Sequence, residues 1–405
     1  MVRAPCVRRA SDGRRGRMFD QQAVLERVLA RHRDAVVVEP VPGRPALIRR
    51  DQLLVAGHDA AVAEDLVRRW CDGREDGAGV ARLRLRAPAR PDVCELAAEL
   101  GGDGPHRRLA VAPNHLVHGQ PLWWSGPADR PRPASPVPAP RTAADACRDV
   151  TVAILDTGLS PHPWYADADW FREQPAEDAE VLDADLDREL DVQAGHGTFV
   201  AGVVLRHAPA ARLLARRVLG GDGVGDELGV IRALARLAER DHADVVNLSL
   251  GCHTYDDRPS PVLSHAIRSL GRRTVVVACA GNAASDRPFW PAALKSVIGV
   301  AALDGDDRAW FSNYGWWVDA AAPGVDVASS FVRFDGPRPP AEGADPDRFD
   351  GFATWSGTSF ATPMVTGLIA RLAASEDIGA VAAADKILDQ NARATHPDLG
   401  VIIRA

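Results

Sequence analysis

The feature that most constrains this chain is a change of pattern near Asp149. From there, apolar runs of strand length alternate with helical patterns to the C-terminus. Residues 150–155 form a continuous apolar run, as expected of a strand buried on both faces. Residues 196–204 read as a helix, 212–219 as a strand, 228–238 as a helix, 245–250 as a strand and 261–270 as a helix. Residues 274–280 and 296–302 read as strands, and 358–374 as a long helix. Strands alternating with helices predict a parallel sheet covered on both sides. In such a sheet, sites form at the carboxyl ends of the strands.

The residues before Asp149 read differently. Residues 1–18 carry no periodic apolar pattern and are expected to be disordered. Met18 is a candidate start, because a helical pattern (Phe19, Val24, Leu25, Val28, Leu29) begins after it. Residues 35–38 and 46–48 read as strands, and Val62, Leu66 and Trp70 mark a helix closed by a turn at Asp72-Gly73. Residues 80–86 alternate with period two, the signature of a strand with one buried face. Pro91 opens a short helix that Gly101-Gly102 ends, and residues 109–117 are strand-like. Residues 19–118 thus predict a small α+β domain. Residues 119–148, with the Pro-rich stretch 126–141, predict a stiff, solvated linker, and 149–405 a larger α/β domain.

The 405 residues are 46% apolar and 25% charged, which excludes a disulfide miniprotein, a collagen-like chain and a mostly disordered one. No apolar run approaches the ~18 residues of a membrane-spanning helix. The Arg-rich first thirty residues lack the apolar core, ~7–15 residues long, of a secretory signal. The six cysteines (Cys6, Cys71, Cys94, Cys147, Cys252 and Cys279) form no CxxC pair and no zinc spacing; their even count permits disulfides, but without an export signal mainly reduced thiols and a cytoplasmic location are expected. Residues 1–150 hold 25 Arg against 19 acidic residues, and the remainder 23 basic against 36 acidic, so the two parts should attract each other. Basic residues are not interleaved with aromatics, which argues against a nucleic-acid partner. Arg outnumbers Lys 46 to 2, which reads as a coding bias.

Four motifs fall at the ends of the α/β elements. Val152-Ala-Ile-Leu-Asp-Thr-Gly158 places Asp156 at a strand exit, and Gly195-His-Gly-Thr-Phe-Val-Ala-Gly202 opens a helix with His196 between two glycines. Ala280-Gly-Asn282 follows a strand. Ser356-Gly-Thr-Ser-Phe-Ala-Thr-Pro363 heads a helix, with Ser359 where free backbone N–H groups point outward. Pro363 falls within the first turn or so, where its missing N–H costs little. Taken singly, Asp156 reads as a cap or turn former, His196 and Ser359 as caps, and Asn282 as a turn residue. Ser356 or Thr358 can equally cap the helix, which leaves Ser359 free.

In the order Asp, His, Asn, Ser, these motifs (DTG, HGT, AGN, GTSxAxP) resemble those of the subtilisin-like serine proteases, the subtilases of peptidase family S8. The resemblance covers the chain from about Val150 onward. Chymotrypsin-like enzymes and α/β-hydrolases use other orders. His196 and Asn282 disfavour the carboxyl-type relatives, which carry Glu and Asp there. The resemblance implies a doubly wound, mainly parallel sheet flanked by helices, and serine endopeptidase activity. It implies Ser359 as nucleophile, His196 as its base and Asp156 as the partner of the imidazole. Asn282 and the Ser359 N–H would be the oxyanion donors. No cofactor is required, although structural Ca²⁺ is common in the family.

The Gly-rich residues 218–225 follow a strand and precede a helix, but lack the G-x-G-x-x-G spacing of a dinucleotide site and are not a P-loop. By the resemblance, Gly223, Val224 and Gly225 form one wall of a cleft and Ser249, Leu250 and Gly251 the other, with an extended peptide added between them as a strand. Phe289 falls by analogy at the floor of the pocket for the residue before the scissile bond, where its bulk would shorten the pocket; alternatively it is a core aromatic. The acidic insert 166–191 has no EF-hand spacing and reads as a solvated loop, not a Ca²⁺ site. Residues 331–351 read as a second insert, near the nucleophile helix. His115 and His118 have no third metal ligand nearby, so no metal site is expected. Cys279 reads as a small buried hydrophobe.

Residues 80–117 are similar to the propeptide domains of the same family. That similarity implies an intramolecular chaperone and inhibitor whose tail runs through the active site until it is cut, with self-cleavage within about 119–148. The expected function is a serine endopeptidase made as a zymogen. Its expected partners are a polypeptide substrate and its own N-terminal domain, with no nucleic acid and no membrane span. Two alternatives stand beside it: a dedicated maturation protease for one intracellular precursor, and a catalytically silent peptide-binding protein. The complete Asp156, His196, Asn282 and Ser359 set argues against the last.

Overall fold

A computed structural model describes residues 21–86, 92–102, 108–119, 130–141, 148–337 and 347–404. The expected disordered N-terminus, Pro91, Cys6, Cys147 and most of the expected linker lie outside these residues.

The C-terminal part is built on a sheet with the order Arg212–Arg217, Thr151–Asp156, Val245–Leu248, Val275–Cys279, Ile298–Asp304, Ala320–Pro323, Gly400–Ile402 and Thr395–His396. Neighbours run parallel except the last pair, which is antiparallel. Side chains alternate across the sheet. Val152 and Ile154 pack on one face with residues of the helices His196–His207 and Thr358–Ser375. Ala153 and Leu155 pack on the other with Glu227–Arg236 and Pro261–Ser269. Because both faces are covered, these strands read as unbroken apolar runs. From Thr151–Asp156 the chain crosses to the strand on one side, then returns to Val245–Leu248 on the other. A crevice opens at the carboxyl ends of strands where connections reverse in this way.

The N-terminal part is an antiparallel sheet of Cys71–Gly77, Val80–Leu85, Ala46–Ala56 and Val111–His118, with Ala35–Val38 also paired to Ala46–Ala56. Ala60–Val67 and Val93–Gly101 cover Leu53, Val55 and Leu83. Val93–Gly101 is started by Asp92, whose capping box with Glu95 satisfies two end N–H groups. The Asp72-Gly73 pair does not turn the chain. It lies inside Cys71–Gly77, where a register shift absorbs it. The turn is at Ala78-Gly79, both with positive φ.

Val111–His118 is buried throughout because both its edges are paired. One edge meets Ala46–Ala56, the other Val224–Asp226 of the C-terminal part. Leu54, Val80 and Val117 share a core with Leu219 and Leu228. The uneven charge is used locally: Arg31 meets Asp191 at 2.8 Å, His32 meets Asp222 at 2.7 Å and Arg49 meets Asp226 at 3.1 Å.

One further expectation is corrected. Part of the linker is ordered, since Arg132–Pro133 adds to the edge of Arg348–Trp355. The second insert begins and ends in strands: Val327–Asp335 pairs antiparallel with Arg348–Trp355. Phe331, Phe349 and Trp355 carry this pair into the core.

Candidate active site

Asp156 ends the strand Thr151–Asp156 and is 1% exposed. Its Oδ1 accepts the Thr157 N–H at 2.8 Å and lies 2.7 Å from His196 Nδ1. The carboxylate is therefore spent on an imidazole, not on a turn. Gly195, just before the helix His196–His207, has φ of 87°, which side-chain-bearing residues rarely adopt. At Gly197 an added methyl would strike Gly158 O at 2.1 Å, so small residues let the two motifs meet. With Nδ1–H given to Asp156, Nε2 is left as the acceptor. Nε2 is buried and has no hydrogen-bond partner, the condition of a base poised to take a proton. Trp355 and Phe360 pack on the imidazole, each with ring centres 5.3 Å away, and fix its plane.

Ser359 is the second residue of Thr358–Ser375, and Pro363 is the sixth, beyond the first turn where it was expected. A proline there removes the N–H that would bond the Ser359 carbonyl. Ser249 Oγ donates to that carbonyl instead, at 2.8 Å. Asn247 Nδ2 donates to Ser249 Oγ at 3.0 Å, and Thr366 Oγ1 to Asn247 Oδ1 at 2.9 Å. This buried chain of bonds ties the Ser359 helix to the strand Val245–Leu248.

Asn282 is 7% exposed, and its Oδ1 receives both the Thr358 N–H and the Thr358 hydroxyl at 2.9 Å. A backbone N–H can only donate, so the amide oxygen is fixed on that side. Nδ2 is thereby kept as a donor. Cys279 lies beside the Ser359 and Thr358 hydroxyls, and burial pushes its thiol up to about 12, which keeps it neutral.

The two expected walls face each other across a filled cleft. Leu116, Val117 and His118 pair antiparallel with Asp226, Gly225 and Val224, and the Gly119 N–H donates to Gly223 O at 3.1 Å. On the other side, the His118 N–H donates to Gly251 O at 2.8 Å, and the His118 carbonyl accepts the Gly251 N–H at 3.1 Å. Leu250, between Ser249 and Gly251, is buried in the core. The Ser359 hydroxyl does not reach Nε2; it stands 3.4 Å from Ser249 O and 3.5 Å from Gly119 O. Gly119 lies against both groups, since a methyl on it would stand 3.6 Å from His196 Cε1 and 3.4 Å from Ser249 O.

Phe289 is buried, and its ring fills the space between Gly251 and Gly281, where added methyls would meet it at 2.4 and 3.1 Å. It is thus both a core aromatic and a block between two glycine walls. His115 is buried with Nδ1 3.4 Å from Glu227 Oε2, and His118 packs edge-on to Phe289. The acidic insert is not uniformly solvated: Asp178 is buried against Arg216 at 3.0 Å, and Glu180 is half-buried with its carboxyl turned inward to hydroxyl and N–H donors. Asp183, Asp185 and Asp187 offer oxygens within 4.8 Å of one another. The Asp183 oxygens already accept the Asp187 and Arg188 N–H groups, as an ordinary acidic turn does. Sequence reasoning did not find Trp355 or Glu180 as neighbours of the site. Neither lies in a motif: Glu180 comes from the acidic insert, and Trp355 stands just before Ser356.

A family model described as "Subtilase family" matches residues 148–400. A thermophilic serine proteinase of Bacillus sp. (strain AK1) is 37% identical over 235 residues, 55% of this chain and 51% of its own. Subtilisin BL of Lederbergia lenta is 35% identical over 232 residues, 55% of this chain and 75% of its own. Thermitase of Thermoactinomyces vulgaris is 34% identical over 238 residues, 55% of this chain and 74% of its own. The chain therefore spans about half the length of the first and about three quarters of the other two.

Proposed function

The chain belongs to the subtilase family, and from that premise we propose that it is a serine endopeptidase held in check by its own N-terminal domain. It cuts extended polypeptide segments, because only an unfolded stretch fits between two strand edges. Ser359 Oγ attacks the carbonyl carbon while His196 Nε2 takes the hydroxyl proton and later returns it to the leaving amine. Asp156 holds the imidazole in the right tautomer and stabilises the imidazolium. Asn282 Nδ2 and the Ser359 N–H receive the oxyanion; loss of one such donor costs about 10²–10³ in turnover. Water then releases the acyl group by the same steps. The chemistry calls on side chains and backbone alone, so the reading needs no cofactor.

The observation that carries the zymogen reading is the strand formed by Leu116–Gly119 between both cleft walls, with Gly119 O 3.5 Å from Ser359 Oγ. A peptide substrate would need the same edges. Intact-mass spectrometry tests it. The wild-type chain should be cut within residues 119–148 on incubation, and Ser359→Ala should stay whole. A wild-type chain that hydrolyses peptides while remaining full length would overturn the zymogen reading.

A narrower reading, maturation of one intracellular precursor, is favoured by Phe289, whose ring limits the residue accepted before the scissile bond. Action in the cytoplasm belongs to the same proposal. It is supported by Cys71, Cys94, Cys252 and Cys279, which are free thiols. Among the described residues no helix is long and apolar enough to cross a membrane.

A further inference from the structure

Glu180 is a half-buried residue whose carboxyl accepts four hydrogen bonds and is not used by the steps above. Its Oε1 receives the Thr157 hydroxyl and the Gly195 N–H, at 2.5 and 2.8 Å. Its Oε2 receives the Thr198 hydroxyl at 2.5 Å and the Ser160 hydroxyl at 3.3 Å. These donors come from the segments that follow Asp156 and flank His196, so one carboxyl joins the two motifs. Asp156 and Tyr165 are the titratable groups that face it. Asp178, two residues earlier, is turned to Arg216, and the Tyr165 hydroxyl donates to Ser160 O. Burial drives the Glu180 carboxyl up, the Thr157 and Thr198 hydrogen bonds draw it back and Asp156 raises it again, leaving it at about 7.

Thr157 has one hydroxyl proton and two acidic neighbours. Its Oγ1 accepts the Gly197 N–H at 2.9 Å, and stands 2.5 Å from Glu180 Oε1 and 3.3 Å from Asp156 Oδ1. When Glu180 is ionised, the proton belongs on the Glu180 side. When Glu180 takes a proton from solvent, Oε1–H becomes the donor and Thr157 Oγ1 its acceptor. The Thr157 proton then has Asp156 Oδ1 as its remaining acceptor, the oxygen that also holds His196.

We propose that Glu180 is a positioning residue of the triad: by gaining or losing one proton it turns the Thr157 hydroxyl toward or away from Asp156. The inference rests on the reading of Asp156, His196 and Ser359 as a triad. With Glu180 ionised, Asp156 keeps its full charge for the imidazolium. With Glu180 neutral, Thr157 takes part of that charge, and imidazolium formation is weakened.

The test follows the downfield proton NMR resonance of His196 Nδ1–H in the full chain as pH is varied. Wild type should show two steps, one from the imidazole and one near pH 7 from Glu180. Glu180→Gln and Thr157→Val should each show one step, and Thr157→Ser, which keeps the hydroxyl, should show both. In the processed enzyme the acidic limb of kcat/KM should be steeper than one proton for wild type and fall to one proton in Glu180→Gln. The inference is overturned if Glu180→Gln keeps both steps, or if Thr157→Val titrates like wild type. If Glu180→Gln does not fold, the Thr157 pair decides. Failure of the protease reading would appear separately, as absence of peptide hydrolysis with the two-step titration intact.

Discussion

His196 donates Nδ1–H to Asp156, and that bond decides which nitrogen is left to act as a base. Asn282 is fixed in the same manner, by donors that hold its oxygen and keep its nitrogen as a donor. These residues were legible by resemblance, because each lies in a short motif beside a strand or helix end; taken singly each read as a cap or a turn. Glu180 was not legible, since within an acidic run it looks like any solvated carboxylate. Its burial depends on hydroxyls from residues 157, 160 and 198, which only the fold brings together. Its stability effect has a definite sign. A carboxyl raised from 4.5 to about 7 contributes stability that is full below pH 4.5 and lost as pH rises through 7. The melting temperature of wild type relative to Glu180→Gln should therefore fall between pH 4.5 and 7 and level off above. A pH-independent difference would contradict this. Phe289 gives a second prediction at this scale. In a peptide library the processed wild type should prefer small residues before the scissile bond, and Phe289→Ala should accept aromatic ones. Unchanged profiles would remove Phe289 from the specificity pocket.

The helix Thr358–Ser375 and the strand Val245–Leu248 are coupled through a single exchange of donors. Pro363 deletes the N–H that the Ser359 carbonyl would use, and the Ser249 hydroxyl replaces it. Ser249→Ala should cost about 1–3 kcal/mol of unfolding free energy, the cost of a buried carbonyl left unbonded. In a Pro363→Ala background, which restores the N–H, Ser249→Ala should cost clearly less. Additive losses in denaturant unfolding would show that the two residues act independently. At this scale the parallel strands were legible from their unbroken apolar runs. The pair Val327–Asp335 and Arg348–Trp355 was not. Phe331 and Trp355 sit among Arg, Asp and Gly in a Pro-rich, acidic context that reads as loop, and they are ordered by packing against His196–His207 and Thr358–Ser375. Asp72-Gly73 misled for a related reason: a turn signal inside a strand can be absorbed as a bulge.

Across the whole molecule, two sheets meet at one cleft. The N-terminal sheet ends in Val111–His118, whose last residues are also the strand that fills the space between Val224–Asp226 and Ser249–Gly251. The uneven charge of the sequence becomes ion pairs at this junction, and Val117 and Leu54 add apolar contact. A parallel sheet of this kind has many long-range pairings and folds slowly, so a covalently attached partner that docks on its edge is a reasonable aid to folding. The order of the motifs was legible in the text of the chain. Their convergence was legible only by resemblance, because no local pattern measures the distance between residues 156 and 359.

The most direct measurement is covalent labelling of the processed enzyme with a fluorophosphonate probe, the adduct being located by peptide mapping. A single adduct on Ser359 is predicted. It should be absent from Ser359→Ala and slowed by orders of magnitude in His196→Ala; in subtilisin, loss of either residue costs about 10⁶ in turnover. An adduct on another residue, or undiminished labelling of Ser359→Ala, would contradict the account.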